Sequence, residues 1–249
     1  MGPMTDADAD RGGRLGLIVP SSNTTAEPEF RAFLPDGITV HGARMALESV
    51  TVDELDAMSD DAARAAELLG HADVDAVAYA CTTGSLLHGP GFDIELEARL
   101  QEAAGVPAVA TARSVVRALE ALEAKRIAVA TPYTTELDDR ERAFLEDAGI
   151  DVASIDGRGL AANTAIGALT PDDAARQVLE AVDGDDIDAV FVSCTNYRSL
   201  AVVDDLESRL GVPVITSNGA TLWDACGAAG LEDALDGPGA LFDRDREPL

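Results

Sequence analysis

Lysine is almost missing from this chain. Lys125 is the only one, and 18 basic residues stand against 46 acidic ones, a net charge of −28. Without a basic stripe to replace phosphate counterions, nucleic-acid binding is excluded as a function class. The acids are spread along most of the length rather than gathered in a tail, as in a salt-adapted, halophilic cytoplasmic protein. In molar salt the Debye length shrinks to about 3 Å, so such a surface need not repel an anionic substrate. Long apolar runs are also lacking. None approaches the roughly 20 residues that span a bilayer, so no membrane partner is expected. Met1 to Gly13 is acidic and has no apolar h-region, so residues 1–13 read as a disordered leader rather than a signal peptide. There is no Cys-x-x-Cys pair, and His41, His71 and His88 are scattered, which disfavours a metal site. Three cysteines without a secretory signal point to reduced thiols.

What is present suits a globular α/β protein: 47% hydrophobic residues and 22 glycines, in a chain long enough for one large domain or two half-size ones. Arg14 to Val19 reads as a strand, followed by a polar loop from Ser21 to Thr25 and a helix over Glu27 to Phe33. A strand over Ile38 to Gly42 follows, then a helix over Val52 to Leu69, where apolar residues recur at threes and fours. A third strand ends at Cys81, a helix covers Ile94 to Ala104, and a fourth strand covers Gly105 to Ala110. Strands alternating with helices predict parallel sheets with right-handed crossovers.

The second half repeats this order. Asp73 to Thr82 matches Asp186 to Thr195, each a buried strand that ends at a thiol followed by threonine. Pro20 precedes Cys81 by 61 residues, and Pro132 precedes Cys194 by 62. Glu97-Ala98-Arg99-Leu100 matches Glu207-Ser208-Arg209-Leu210, and Gly105-Val106-Pro107 matches Gly211-Val212-Pro213. Four echoes in register, at offsets of 106 to 113 residues, are a duplication. The helices over Ser114 to Ala124 and Ala220 to Ala229 follow the last strand of each half and are expected to pack across the pair. No low-complexity linker intervenes, so two lobes with a cleft are expected: 14–112 plus 217–249, and 113–216.

Ligands of open parallel sheets bind beyond the carboxyl ends of the strands. Four loops fall there: Ser21 to Thr25, Cys81 to Ser85, Thr131 to Thr135 and Cys194 to Arg198. Hydroxyls, amides and free backbone N–H groups in such loops suit a carboxylate. They are also expected to lower a cysteine pKa, giving a reactive thiolate. Cys81 and Cys194 are therefore the candidate catalytic pair, whereas Cys226, in an alanine-rich stretch, is expected in the core. His71 reads as a helix cap, His41 as a strand residue and His88 as a solvated loop residue within reach of the cleft. Arg113 and Arg198 could clamp a carboxylate, although surface pairing with acids is the plainer role for both.

Gly16 through Thr25, Cys81 through Ser85, Thr131 through Thr134, and Ser193 through Asn196 resemble the maleate cis-trans isomerase branch of the aspartate/glutamate racemase superfamily. Gly159-Leu160 and Asn163 through Gly167 fit the same resemblance, which runs from Arg14 to Ala229. It implies two pseudo-symmetric Rossmann-like lobes with parallel sheets flanked by helices and the active site between them. It also implies no cofactor, a homodimer, and conversion of a small dicarboxylate, maleate, to fumarate. The implied roles are Cys81 as nucleophile, Cys194 as partner thiol, and Asn23, Tyr133 and Asn163 as substrate-binding groups. Backbone N–H groups of Thr82, Thr83, Thr195 and Asn196 would help hold the carboxylates. Three alternatives stay open: an amino-acid racemase using both thiols, an arylmalonate-type decarboxylase using one, and a non-catalytic carboxylate sensor. Asn196 stands where glutamate racemases carry a histidine, and retention of both thiols counts against the last two.

Overall fold

The computed structural model describes residues 12–182, 186–231 and 235–244. Most of the expected leader, residues 1–11, lies outside them. Gly13 does not belong to a disordered leader: it is buried, and its carbonyl accepts the Thr39 N–H at 2.8 Å.

Two four-stranded parallel sheets form the frame. The first joins β1 (Arg14–Pro20), β2 (Thr39–Met45), β3 (Ala76–Tyr79) and β4 (Ala108–Ala110) in the order β2-β1-β3-β4. The second joins β5 (Arg126–Thr131), β6 (Asp151–Gly157), β7 (Ala189–Val192) and β8 (Val214–Thr216) in the order β6-β5-β7-β8. The strand order is therefore duplicated along with the sequence. β3 and β7 are buried at every residue, which is why they read as unbroken apolar runs rather than alternating ones.

Helices α1 (Ala26–Phe33), α2 (Val52–Gly70), α3 (Thr82–Leu86) and α4 (Phe92–Ala104) belong to the first half. Helices α6 (Thr135–Asp147), α7 (Asn163–Gly167), α8 (Pro171–Ala181) and α9 (Val203–Leu210) belong to the second. The remaining two cross over. Val115, Val116 and Leu119 of α5 (Thr111–Ala121) pack against Ile127, Val129, Phe191 and Ile215 of the second sheet. Leu222, Ala225 and Cys226 of α10 (Ser217–Ala228) pack against Leu15, Leu17 and Val109 of the first. Each helix follows the last strand of one sheet and covers the other, so neither sheet can bury both faces alone. Cys226 is accordingly core.

The echoed motifs have a shared mechanical purpose. Gly105 and Gly211 end α4 and α9 in the left-handed region, at φ 74° and 72°, where glycine pays no Cβ penalty. Their N–H groups return to Gln101 and Glu207 carbonyls. The Glu97 carboxylate accepts the Ala110 N–H at 2.9 Å, and the Glu207 carboxylate accepts the Val214 N–H at 2.8 Å. Each glutamate thus ties its helix to the strand that follows. Arg117 completes a buried ion network by donating to Glu97 and Asp224, both at 2.8 Å, which joins α4, α5 and α10.

Several boundaries differ from expectation. β3 stops at Tyr79 rather than Cys81: Ala80 still donates its N–H to the Ile18 carbonyl of β1, but Cys81 already caps α3. The fourth strand starts at Ala108, since Gly105 caps the preceding helix. The crossing helices begin at Thr111 and Ser217, three residues earlier than their apolar spacing suggested.

Candidate active site

The carboxyl ends of β1, β3, β5 and β7 meet in one small cavity. Cys81 and Cys194 both line it, and they are 5% and 6% exposed. Asn23, Thr82, Thr83, Tyr133, Asn163 and Thr195 line it as well. Asn196 does not. Its side chain accepts the Thr24 N–H at 2.9 Å and donates to the Asn163 carbonyl at 2.8 Å, stitching the lobes together. Its own N–H donates to the Cys194 sulfur at 3.4 Å. Asn196 therefore positions neighbours and does not face the cavity. Sequence reasoning missed Pro20, Leu47 and Val50, which supply apolar wall. Leu47 and Val50 come from the segment between β2 and α2, which Val50 and Ser49 fasten to the other lobe through Ala161 and Ala162.

The other candidates lie elsewhere. His88 Nε2 pairs with Asp56 at 3.1 Å, and its ring meets Phe92 edge-on. Arg198 donates to the Leu169 and Gly167 carbonyls rather than to a surface acid, so it braces the chain around α7. Arg113 is half-buried on α5 and does not line the cavity.

The twin loops diverge at their thiols. Cys81 caps α3 in an extended conformation, φ −149°, and receives the Gly84 N–H on its sulfur. Cys194 turns left-handed, φ 90°, and opens a turn closed by the Tyr197 N–H on its carbonyl. A positive φ is strained for a residue with a Cβ and marks a conformation that the surroundings enforce. Here the Cys194 N–H donates to Ser217 Oγ at 3.0 Å, and Ser217 bonds Thr82 Oγ1 at 2.8 Å. The Tyr133 hydroxyl donates to the Cys194 sulfur.

The thiolate expectation is corrected. Burial pushes the Cys81 thiol up to about 11 and Cys194 up to about 12, outweighing the hydrogen bonds that favour ionisation. The five-residue α3 offers too little dipole to offset the loss of water. A charge on Cys81 also raises Cys194, so the two sulfurs sense one another across the cavity. The resting site holds two neutral thiols.

Gly84 is required by this geometry. A Cβ there would lie 2.7 Å from Tyr79 Oη, 2.9 Å from Met58 Cε and 3.0 Å from Cys81 Sγ. Gly84→Ala should displace the sulfur and cut turnover by about 10²-fold, the usual cost of misplacing a reacting group by an ångström. A steady-state assay beside a thermal melt checks this; unchanged turnover would show that the Cys81 position does not matter.

The chain matches the sequence model of the arylmalonate decarboxylase family over residues 15–242. A maleate isomerase of Pseudomonas putida is 33% identical over 242 residues, covering 92% of this chain and 96% of the relative. The chain belongs to the maleate isomerase branch of that family. Like its relatives, this isomerase is an α/β enzyme. The structure of a Pseudomonas putida maleate isomerase variant with maleate has a TM-score of 0.88 to it at 30% identity, covering 92% of this chain and 97% of that one. A cysteine-to-serine mutant of the Nocardia farcinica maleate cis-trans isomerase, with a covalently bound succinylcysteine intermediate, has a TM-score of 0.86 at 27% identity, covering 92% and 98%.

Proposed function

We propose that this enzyme converts maleate to fumarate by adding the Cys81 thiol across the alkene. One observation carries the reading: two thiols line a cavity whose walls hold no Asp, Glu, His, Lys or Arg among the described residues. An amino-acid racemase needs an anionic partner for its substrate's ammonium group, and this lining offers none. An arylmalonate-type decarboxylase uses one thiol, so the second thiol on this wall favours the isomerase.

The chemistry balances with the thiols neutral at rest. Uncharged sulfurs let a dianion enter without repulsion. Cys81 Sγ bonds one alkene carbon, and the π pair moves toward the carboxylate on the other carbon. That carbon takes a proton from Cys194, while Cys194 takes the proton that Cys81 releases. The product is a succinyl thioether with a C–C single bond, which rotates. Reversal of the same steps expels the trans isomer and restores both thiols. Asn23, Tyr133 and Asn163, with the N–H groups of Thr82, Thr83 and Thr195, hold the carboxylates and the charge that develops on them. No cofactor takes part in this scheme. The homodimer is part of the same reading and is checked by light scattering.

The test is incubation of the purified enzyme with maleate, D-aspartate, L-glutamate and phenylmalonate, followed by proton NMR, optical rotation and carbon dioxide release. Fumarate from maleate alone is the expected result. Racemisation or carbon dioxide release without fumarate would replace this reading.

A further inference from the structure

Beyond Thr82 lies a second, tightly packed cavity, lined mostly by apolar side chains such as Leu86, Phe144 and Phe191. Thr82 lines both spaces and so separates them. The second cavity also contains a carboxyl group that the scheme above does not use. Glu141 of α6 borders it and is only 1% exposed. Ser193 Oγ donates to Glu141 Oε1 at 2.6 Å. Glu141 Oε2 is buried and makes no hydrogen bond among the described residues. A half-satisfied buried carboxyl destabilises a fold that an apolar side chain would serve better. Its one bond runs to the residue before Cys194, where the backbone adopts its strained left-handed turn.

We propose that Glu141 is a positioning residue for Cys194: through Ser193 it holds the turn that aims the sulfur, and it must be uncharged while that sulfur exchanges its proton. The proposal rests on the thiol chemistry above. Burial pushes the Glu141 carboxyl up to about 8, Asp138 on the same helix adds to the rise, and the Ser193 bond opposes it. Ionised Glu141 in turn raises Cys194 and Tyr133, which face it from the β7 and β5 loops. The cavity residues contributed by α3, α5 and β7 carry no ionisable group.

The direction of the pH effect follows. Below about 8 Glu141 is neutral, and Cys194 can part with its proton. Above it a negative charge beside Cys194 opposes that loss and repels a dianionic substrate, so turnover falls. The thiols themselves, at about 11 and 12, titrate too far away to cause this limb. Glu29, raised to about 7 by burial, binds the Ser199 and Leu200 N–H groups instead.

Two readouts test this on the full chain. Enzyme labelled with ¹³Cβ-cysteine is titrated without ligand by NMR, and kcat is followed against pH, for wild type, Glu141→Ala and Glu141→Gln. In wild type a step near pH 8 should appear in the Cys194 signal, and kcat should fall about tenfold above it, the equivalent of one pKa unit. Glu141→Ala should lose about tenfold in kcat at pH 7. Glu141→Gln, which can still accept from Ser193, should rescue that loss and abolish both the NMR step and the alkaline fall. An unaltered NMR step in Glu141→Gln, or full activity in Glu141→Ala, overturns the proposal. If maleate is not turned over by any form, the isomerase reading fails while the NMR step still decides the role of Glu141.

Discussion

Cys81→Ser should abolish isomerisation, lowering kcat by about 10⁴-fold or more, as removal of a covalent nucleophile does elsewhere. Cys81 caps α3 with its sulfur on the cavity, and in the proposed scheme the other thiol there, Cys194, is committed to moving the proton. A serine hydroxyl is a far weaker donor to carbon, and burial that already raises the thiol to about 11 would hold an alkoxide out of reach. The exchange nearly conserves volume but buries a hydroxyl in place of a thiol, so the fold should lose about 1–3 kcal/mol. Stopped assays of fumarate formation beside a chemical denaturation curve separate the two effects. Full turnover by Cys81→Ser would end the covalent scheme.

The matching change at Cys194 should behave differently, and the difference is diagnostic. Cys194→Ser leaves Cys81 able to attack but removes the sulfur that passes the proton back and forth. Turnover should drop by about 10³-fold, with a covalent adduct building up on Cys81. Intact-protein mass spectrometry after maleate treatment should show one addition equal in mass to maleic acid, and peptide mapping should place it on Cys81. The left-handed turn at position 194 is expected to persist, because Ser217 and Tyr197 hold it through the backbone. An adduct on another residue, or none with turnover near wild type, would reverse the assignment of the two thiols.

The paired thiols on the cavity were legible because their setting was written twice. Each copy sits at the end of an apolar strand, Ala76–Tyr79 or Ala189–Val192, and parallel topology carries such ends to one edge. The Gly-Val-Pro echoes were legible for a related reason, since glycine at φ near 70° ends a helix on local grounds alone. Glu141 was not legible. It lies in Thr135–Asp147, a strongly polar helix in which any acid reads as a solvated face, and only the packing of α3, α5 and β7 removes this one from water. Leu47 and Val50 escaped notice because a loop residue carries no periodicity, and their place on the cavity comes from bonds to Ala161 and Ala162 more than a hundred residues away.

The thiol pKa values reveal the same division. Residue types near Cys81 suggest an electropositive helix start, a local property, and from it a lowered pKa. Burial is a property of the assembled lobes, and it moves both thiols the other way. The amino-acid order alone was enough to specify the duplicated strand–helix programme, the paired thiols and the acidic, lysine-poor surface, all of which depend on spacing and composition. Only the tertiary structure decided which strand-end groups share a cavity, that Asn196 braces it rather than lining it, and that a carboxyl stands behind Cys194. Those outcomes depend on long-range packing and on exclusion of water, which no short stretch of chain encodes by itself.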